Sequence, residues 1–315
     1  MWLYIVLGIV GAAALAILIG AVVSFKIVFY SPARKPLAEE EFEIPPGKVY
    51  EKFREEMKDW VRLSRKTEHQ CFEIKSFDGL TLRGRYYECD PSGPVELLFH
   101  GYRGNAERDL SGGVARCFAL GRNALIIDQR GSGTSDGHVI TFGIREHRDC
   151  LSWVDFAVNY FGKEKKLILT GISMGAATVL MAAGKELPPN VVCVLADCGY
   201  SSSKEIIKKV IKDMKLPVFL FYPMVKLGAF LFGFFRLEKY SPMEAMKNSR
   251  VPIIFIHGDN DDFVPCEMSR RMYAACTSKH KSLVEIKGAG HGLAFPHDKE
   301  SYFNALREFQ EKCGF

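Results

Sequence analysis

Short, nearly continuous apolar runs recur along most of the chain, separated by segments whose apolar residues have helical spacing. The runs are Val95–Phe99, Ala124–Ile127, Lys166–Ile172, Val191–Leu195, Ile253–Ile256 and Leu283–Ile286. Such runs are typical of parallel strands covered by helices on both faces. Before them, two β-rich stretches, Cys71–Ser76 and Leu80–Glu88, flank an Asp-Gly hairpin signal. The pattern predicts one α/β domain over residues 71–315.

The N-terminus has a different pattern. Residues 1–23 contain no charged side chain, and as a helix they reach roughly 34 Å, enough for a hydrocarbon core of about 30 Å. A cleaved signal peptide is the competing interpretation, but the run is long, lacks a basic start and has no clean cleavage site. We expect residues 1–30 to be a single-pass membrane anchor.

Charge and cysteine content narrow the possible locations and partners. Lys26, Arg34 and Lys35 follow the apolar run, so the positive-inside rule predicts a cytoplasmic catalytic domain. The nine cysteines are scattered without C-x-x-C spacing, which suits a reducing compartment and gives no metal site. A net charge of +5 without dense basic runs gives no support for a nucleic-acid partner.

Residues 31–70 form a predicted juxtamembrane linker. Pro32, Pro36 and the Pro45-Pro46 pair interrupt it, and a charged segment over 48–66 then shows mostly helical apolar spacing. This segment is predicted to be an amphipathic helix. Its sequence is equally compatible with packing on the domain, with lying on the membrane surface and with a solvated linker.

Candidate chemistry begins at Gly171-Ile172-Ser173-Met174-Gly175, where an apolar run passes directly into helix-favouring residues. A G-x-S-x-G motif between a strand and a helix exposes the serine on a sharp turn. The His100-Gly101-Tyr102 loop follows an earlier strand. The backbone N–H groups of Tyr102 and Met174 are therefore the candidate oxyanion hole for a carbonyl attacked by Ser173.

A glycine-rich loop over 128–137 follows the next strand. It lacks the Lys-Ser/Thr of a P-loop and the later acidic residue of a dinucleotide fingerprint. We expect Asp128 and Arg130 to hold the loops around the serine instead.

A serine nucleophile needs a base and an orienting acid. His291 lies between small residues after the last predicted strand, whereas His100 and His257 precede glycine at strand ends and are expected to hold loops. The loop over 257–265 offers three aspartates, and Asp197 follows an earlier strand. The acid therefore comes from Asp259, Asp261, Asp262 or Asp197, which gives the chain order serine, acid, histidine if it lies in the 257–265 loop.

Five motifs together resemble the α/β-hydrolase superfamily of serine esterases, lipases and serine aminopeptidase-like enzymes. They are HGYRGN, DQRGSGTSDG, GISMG, HGDNDDFVP and GAGHG, beginning at His100, Asp128, Gly171, His257 and Gly288. The resemblance spans residues 71–315 and implies a mostly parallel sheet with helices on both faces. Within H-G-x-x-D-x-x-V-P it implies that the acid is Asp261, which completes a Ser173, His291 and Asp261 triad.

About fifty residues separate Asp197 from the next predicted strand, so we expect a helical cap over about 200–250. It contains a lysine-rich amphipathic segment and then a segment with six phenylalanines. This cap either dips into the membrane interface and lines an acyl-chain pocket or packs its phenylalanines on the core.

The sequence thus favours a membrane-anchored serine hydrolase that acts on a small-molecule or lipid ester or thioester through an acyl-enzyme. It needs no metal or organic cofactor. A serine aminopeptidase-like peptidase with the same triad and a non-catalytic scaffold are the alternatives, and the oligomeric state stays open.

Overall fold

The computed structural model describes residues 1–32 and 40–314. The strands in these residues are β1 Gln70–Lys75, β2 Thr81–Tyr87, β3 Val95–Phe99, β4 Asn123–Asp128, β5 Leu167–Ile172, β6 Val191–Asp197, β7 Ile253–Gly258 and β8 Lys281–Ile286. Each coincides with a predicted apolar or β-rich run to within two residues at either end.

All these strands join one sheet in the order β1-β2-β4-β3-β5-β6-β7-β8. β2 pairs antiparallel with both β1 and β4, and all other neighbours are parallel. The hairpin at the start and the mostly parallel sheet confirm the predicted α/β-hydrolase fold.

Helices surround the sheet. They are α1 Trp2–Val28, α2 Arg54–Lys66, α3 Ala106–Ala119, α4 Glu146–Phe161, α5 Met174–Ala183, α6 Ser203–Asp213, α7 Val218–Leu231, α8 Pro242–Met246, α9 Glu267–Ala275, α10 Ala294–His297 and α11 Lys299–Cys313, with a 3-10 helix at Lys48–Phe53. The expected cap consists of α6, α7 and α8 between β6 and β7.

Successive strand residues are buried on opposite faces of the sheet, because side chains alternate along a strand. Leu97 packs in one core with residues of α4, α5 and α9. Its neighbour Leu98 packs with α3, and Ile168 on the same face packs with α11. Both faces are covered by helices, which explains why these strands read as continuous apolar runs.

Helix α1 is the one helix in the described residues that is long and apolar enough to cross a membrane. Most of it is exposed, but its last turns pack against the cap, with Phe25 and the following Phe29 buried. Arg34 and Lys35, two of the three basic residues from which the cytoplasmic orientation was predicted, lie outside the described residues.

The predicted amphipathic helix is present as the 3-10 turn and α2, and it lies on the domain. Met57 and Val61 are buried, and the Ser64 hydroxyl is 2.8 Å from that of Ser111 in α3. Of the three interpretations of this segment, the contacts with α3 therefore favour packing on the domain.

Candidate active site

Ser173 lies at the turn between β5 and α5, with a positive φ of 56°. The turn needs glycine on both sides of it. A Cβ at Gly175 would collide with the carbonyl group of Phe99, and one at Gly171 would collide with the backbone of Gly175. These contacts give the physical reason for the G-x-S-x-G pattern, because only glycine allows the helix to start so close to β3.

The structure brings the three side chains that the resemblance implied into one hydrogen-bonded chain. His291 Nε2 is 2.9 Å from Ser173 Oγ, and His291 Nδ1 is 2.7 Å from Asp261 Oδ2. An ionised carboxylate only accepts hydrogen bonds, so Nδ1 carries the proton and Nε2 accepts from the serine hydroxyl. This is the tautomer in which an imidazole can take the proton of a serine nucleophile.

Asp261 is held as a carboxylate by donors on both oxygens. Its Oδ1 accepts from the backbone N–H groups of Phe263 and Val264 at 2.9 and 2.7 Å. Burial raises the pKa of Asp261, but hydrogen bonds from His257 and His291 outweigh burial and hold the pKa well below its ordinary value. Asp261 therefore stays charged while it orients His291.

His257 supports this carboxylate as well as its own loop. Its Nε2 lies 3.2 Å from Asp261 Oδ2 and 2.9 Å from the Val264 carbonyl, both of which only accept, so Nε2 carries the proton. Its Nδ1 then accepts from the Ser269 hydroxyl at 2.7 Å. The sequence indicated loop bonding for His257, but the contact with Asp261 depends on the fold of the 257–265 loop.

The other aspartates have different partners. Asp259 accepts from the Gly288 N–H at 2.6 Å, and Asp262 is exposed. Asp197 is buried, where burial raises its pKa, and it accepts from the Tyr302 hydroxyl at 2.9 Å. Only Asp261 among the four candidate acids has a hydrogen bond to His291 among the described contacts.

The loop after β3 lies directly beside the serine. A Cβ built at Gly101 would stand 3.6 Å from the Cβ of Ser173, and Asp109 accepts the Gly101 N–H at 3.1 Å. Within the described residues, neither the Tyr102 nor the Met174 N–H donates a hydrogen bond, and Met174 begins α5, where helix N–H groups lack partners. These two donors are available, as an oxyanion hole requires.

The glycine-rich loop acts partly as expected. Asp128 accepts from the Ala106 N–H at the start of α3 and from Thr134, so it joins the loop to the segment following the His100 loop. Arg130 instead pairs with Asp149 and with Asp78 of the β1–β2 turn. The expectation that Arg130 holds loops around the serine is therefore wrong, because its partners lie on the hairpin and α4.

A cavity of about 710 Å³ opens at Ser173. Its apolar wall comes from the segment before the sheet, from α3 and from the loop and helix after His291. The residues are Pro45, Pro46, Val49, Phe53, Met57, Trp60, Leu110, Leu293, Phe295 and Pro296. No residue of the cap lines it among the described residues, so this cavity does not support the alternative in which the cap lines an acyl-chain pocket. The cap stands beside the end of α1 instead.

Sequence reasoning missed Tyr50 at this site. Its hydroxyl donates to the His291 carbonyl at 3.0 Å, across 241 positions of the chain. Phe263 packs edge-on against the His291 ring at 5.0 Å between ring centroids. Together they hold the histidine loop from both sides. The apolar spacing of residues 49–63 predicted an amphipathic helix but left open which surface, if any, it packs against.

Cys198, Asp261 and His291 form the one group of three possible metal ligands in the described chain, with ligand atoms within 4.8 Å of one another. Asp261 and His291 already bond to each other, and His291 bonds to Ser173. Asp261 and His291 are therefore already used in the hydrogen-bonded chain that ends at Ser173, and we assign no metal to this group.

The chain is similar in sequence to curated proteins and in fold to solved structures. YqkD of Bacillus subtilis is 25% identical over 244 residues, which are 77% of this chain and 79% of that protein. An uncharacterized membrane protein of Saccharomyces cerevisiae is 24% identical over 198 residues, 62% of this chain and 63% of that one. An esterase of Pyrococcus furiosus has a TM-score of 0.64 at 22% identity, covering 86% of this chain and 98% of its own. At that identity the esterase shows the fold alone.

The sequence pattern of the prolyl oligopeptidase family matches residues 117–314, a range that contains Ser173, Asp261 and His291. The match spans more than half of the chain, and the sheet order and the turn at Ser173 are those of an α/β-hydrolase. This chain is a hydrolase that belongs to the prolyl oligopeptidase family.

Proposed function

We propose that this protein is a membrane-anchored serine hydrolase that cleaves carboxylic esters or thioesters of hydrophobic acyl groups. The observation that carries the proposal is the continuous chain Ser173 Oγ, His291, Asp261, with distances of 2.9 and 2.7 Å. It is supported by two unpaired N–H groups beside the serine and by the apolar wall of the cavity.

In the first half of the reaction, Ser173 Oγ attacks the acyl carbonyl carbon while His291 Nε2 takes the hydroxyl proton. The carbonyl oxygen becomes an oxyanion, which the Tyr102 and Met174 N–H groups stabilise. Collapse of this intermediate breaks the bond to the leaving oxygen or sulfur, which receives the proton from His291. The acyl group is then bound to Ser173 as an ester.

In the second half, water attacks the acyl-enzyme and gives a proton to His291 Nε2. The same two N–H groups stabilise the second oxyanion, and its collapse releases a carboxylic acid. The proton returns from His291 to Ser173 Oγ. Throughout, Asp261 stays ionised and holds the Nδ1 proton, so the imidazolium that forms twice per cycle is stabilised by a neighbouring negative charge.

A fluorophosphonate probe tests the nucleophile, because it reacts only with an activated serine. Wild-type protein is expected to react, and Ser173→Ala is expected not to. Ser152→Ala is the matched control, since Ser152 lies on α4 and bonds only its own helix. Wild-type turnover of a short-chain nitrophenyl ester by Ser173→Ala would assign the reaction to another nucleophile. A folded wild-type protein that neither reacts with the probe nor hydrolyses the ester would favour a non-catalytic scaffold.

A peptidase is the second candidate, favoured by membership of the prolyl oligopeptidase family. The two functions share Ser173, His291 and Asp261, so mutation of these residues cannot separate them. Matched acyl nitrophenyl esters and aminoacyl nitroanilides can separate them. The proposal expects kcat/KM to rise with acyl length in the ester series and to stay low for every anilide. The reverse order would favour the peptidase.

The proposal also places α1 in a membrane and the hydrolase domain on its cytoplasmic side. Cys71 and Cys89 are exposed thiols on that domain. A membrane-impermeant maleimide is therefore expected to label them only after cells are permeabilised, and Cys71→Ser/Cys89→Ser is the control for other thiols. Labelling of intact cells would reverse the orientation, and a purified chain lacking its first residues by mass would show that α1 is a signal peptide.

A further inference from the structure

Helix α1 has an exposed part and a packed part. Residues 1–19 are exposed, whereas Ala21, Phe25 and the following Phe29 are buried against the protein. At 1.5 Å per residue, residues 2–19 form a rod of roughly 27 Å, close to the ~30 Å of a hydrocarbon core. A bilayer crossed by this rod ends near Gly20, where packing against the protein begins.

The cap helix α7 packs against α1 where the exposed part of α1 ends, near Gly20. A Cβ at Gly20 would collide with the side chain of Met224, and one at Gly228 would collide with the Ala21 carbonyl. The ring centroids of Phe25 and Phe232 are 5.9 Å apart. Small residues on both helices allow this close approach. Helix α7 therefore lies beside α1 where α1 would leave the apolar layer.

Apolar side chains are exposed on α7 and in the turn that follows it. We name this set the cap apolar patch: Phe219, Leu220, Phe230, Leu231 and Phe234. Phe219 and Phe234 are 83% and 80% exposed, although both are large aromatic side chains. Single exposed apolar residues are ordinary on soluble proteins, but several of them on one short helix beside an apolar rod indicate a surface that contacts something apolar.

Exposed lysines lie near both ends of the contact between α1 and α7. Lys26 in the last turn of α1 is exposed, as are Lys212 and Lys215 just before α7. The one charged residue inside α7, Lys226, has its Nζ 3.1 Å from Glu238. The one charged residue inside α7 is thus paired, and Lys26 lies past Gly20 on α1, where a basic side chain can meet anionic headgroups.

We infer that α7 and the turn after it lie in the interface of the bilayer that α1 crosses. The cap apolar patch reaches the acyl chains, and Lys26, which lies past Gly20 on α1, reaches the headgroups. A bilayer is favoured over a second copy of this chain because α1 of the same molecule brings the patch to the membrane level. The inference rests on the proposed membrane anchor and is independent of the hydrolytic chemistry.

Tryptophan quenching in vesicles tests this contact. Full-length Phe219→Trp and Phe234→Trp are reconstituted in phosphatidylcholine/phosphatidylglycerol vesicles, with or without lipids brominated near the headgroup end of the acyl chain. The added fluorescence, after subtraction of the wild type, is expected to be lost with brominated lipid and resistant to aqueous acrylamide. Tyr160→Trp is the matched control, because Tyr160 is exposed near the end of α4, where its hydroxyl bonds Gln70 of the edge strand β1. It should show the reverse pattern.

Three results would overturn the inference. Quenching of both added tryptophans by acrylamide and not by brominated lipid would place the patch in water. Protection from both quenchers that depends on protein concentration would show that a second copy covers it. Failure of lipids brominated near the headgroup end of the acyl chain to quench any wild-type fluorescence, including that of Trp2 at the start of α1, would remove the anchor as well. Fluorophosphonate reactivity stays unaffected in each case, so the hydrolytic proposal is judged separately.

Discussion

The phenolic hydroxyl of Tyr102 donates a 2.7 Å hydrogen bond to the backbone carbonyl of Val28, the last residue of α1. The neighbouring Arg103 guanidinium donates to the carbonyls of Ile27 and Tyr30 at 2.7 and 3.0 Å. The last carbonyls of a helix have no partners within it, and here the loop beside Ser173 supplies them. The N-terminal helix is therefore joined to the candidate oxyanion loop as well as to the cap.

Replacing this hydroxyl tests whether α1 supports the site. Tyr102→Phe keeps the backbone N–H and the ring, which packs 5.0 Å from Phe142 between ring centroids. The hydroxyl also accepts from Arg103 Nε at 2.9 Å, and losing both bonds is expected to lower the free energy of unfolding by about 2 kcal/mol and the fluorophosphonate reaction rate several-fold. Tyr160→Phe, which loses an exposed bond to Gln70, should change neither. Equal rates in both variants would show that the bond does not act on the site.

Changing the acid separates Asp261 from its neighbours. Asp261→Asn keeps the shape of the side chain but allows the wrong imidazole tautomer, so kcat is expected to fall on the order of 10⁴-fold. Asp262→Asn and Asp259→Asn are matched controls on the same loop and should retain activity within about tenfold. A severe loss in Asp197→Asn with near-normal activity in Asp261→Asn would assign the acid to the earlier strand.

The same carboxylate makes stability depend on pH. Its folded-state pKa lies below the ordinary value of 3.8 because donors from His257 and His291 outweigh burial. Its contribution to folding is therefore fully present above about pH 4 and is lost as pH falls through the folded-state pKa. Urea unfolding in detergent should show a gap in unfolding free energy between wild type and Asp261→Asn that is widest near neutral pH. A gap that widens further as pH drops well below 4 would contradict this origin.

The cavity wall is expected to set acyl-length preference. Trp60 lines the cavity, and its ring lies 5.5 Å from that of Phe295 between centroids. Trp60→Ala removes apolar contact from a long acyl chain, so KM for long-chain esters should rise about tenfold while short-chain esters change little. Met214→Ala alters an exposed cap residue outside the cavity and should leave the preference unchanged. A change of acyl-length preference in Met214→Ala but not in Trp60→Ala would place the acyl site in the cap.

Sequence patterns were sufficient to predict a structural feature wherever neighbouring residues determine that feature. Apolar runs marked the strands because burial on both faces favours apolar side chains at most positions, and the two glycines around Ser173 marked a turn that no larger residue fits. The positions of Ser173 and His291 after predicted strands were enough to expect both at the carboxyl ends of the strands, and the resemblance to α/β-hydrolases implied Asp261 as the acid beside them.

Tertiary packing alone decided what surrounds that edge. Tyr50 contacts His291 across 241 positions, and Tyr102 contacts Val28 across 74. Neither pairing leaves a local signal, because the residues around a tyrosine do not show which distant surface its hydroxyl will meet. The cavity wall came from residues 45–60 and not from the cap for the same reason. Amphipathic spacing shows that a face is buried, but only the folded chain selects the partner that buries it.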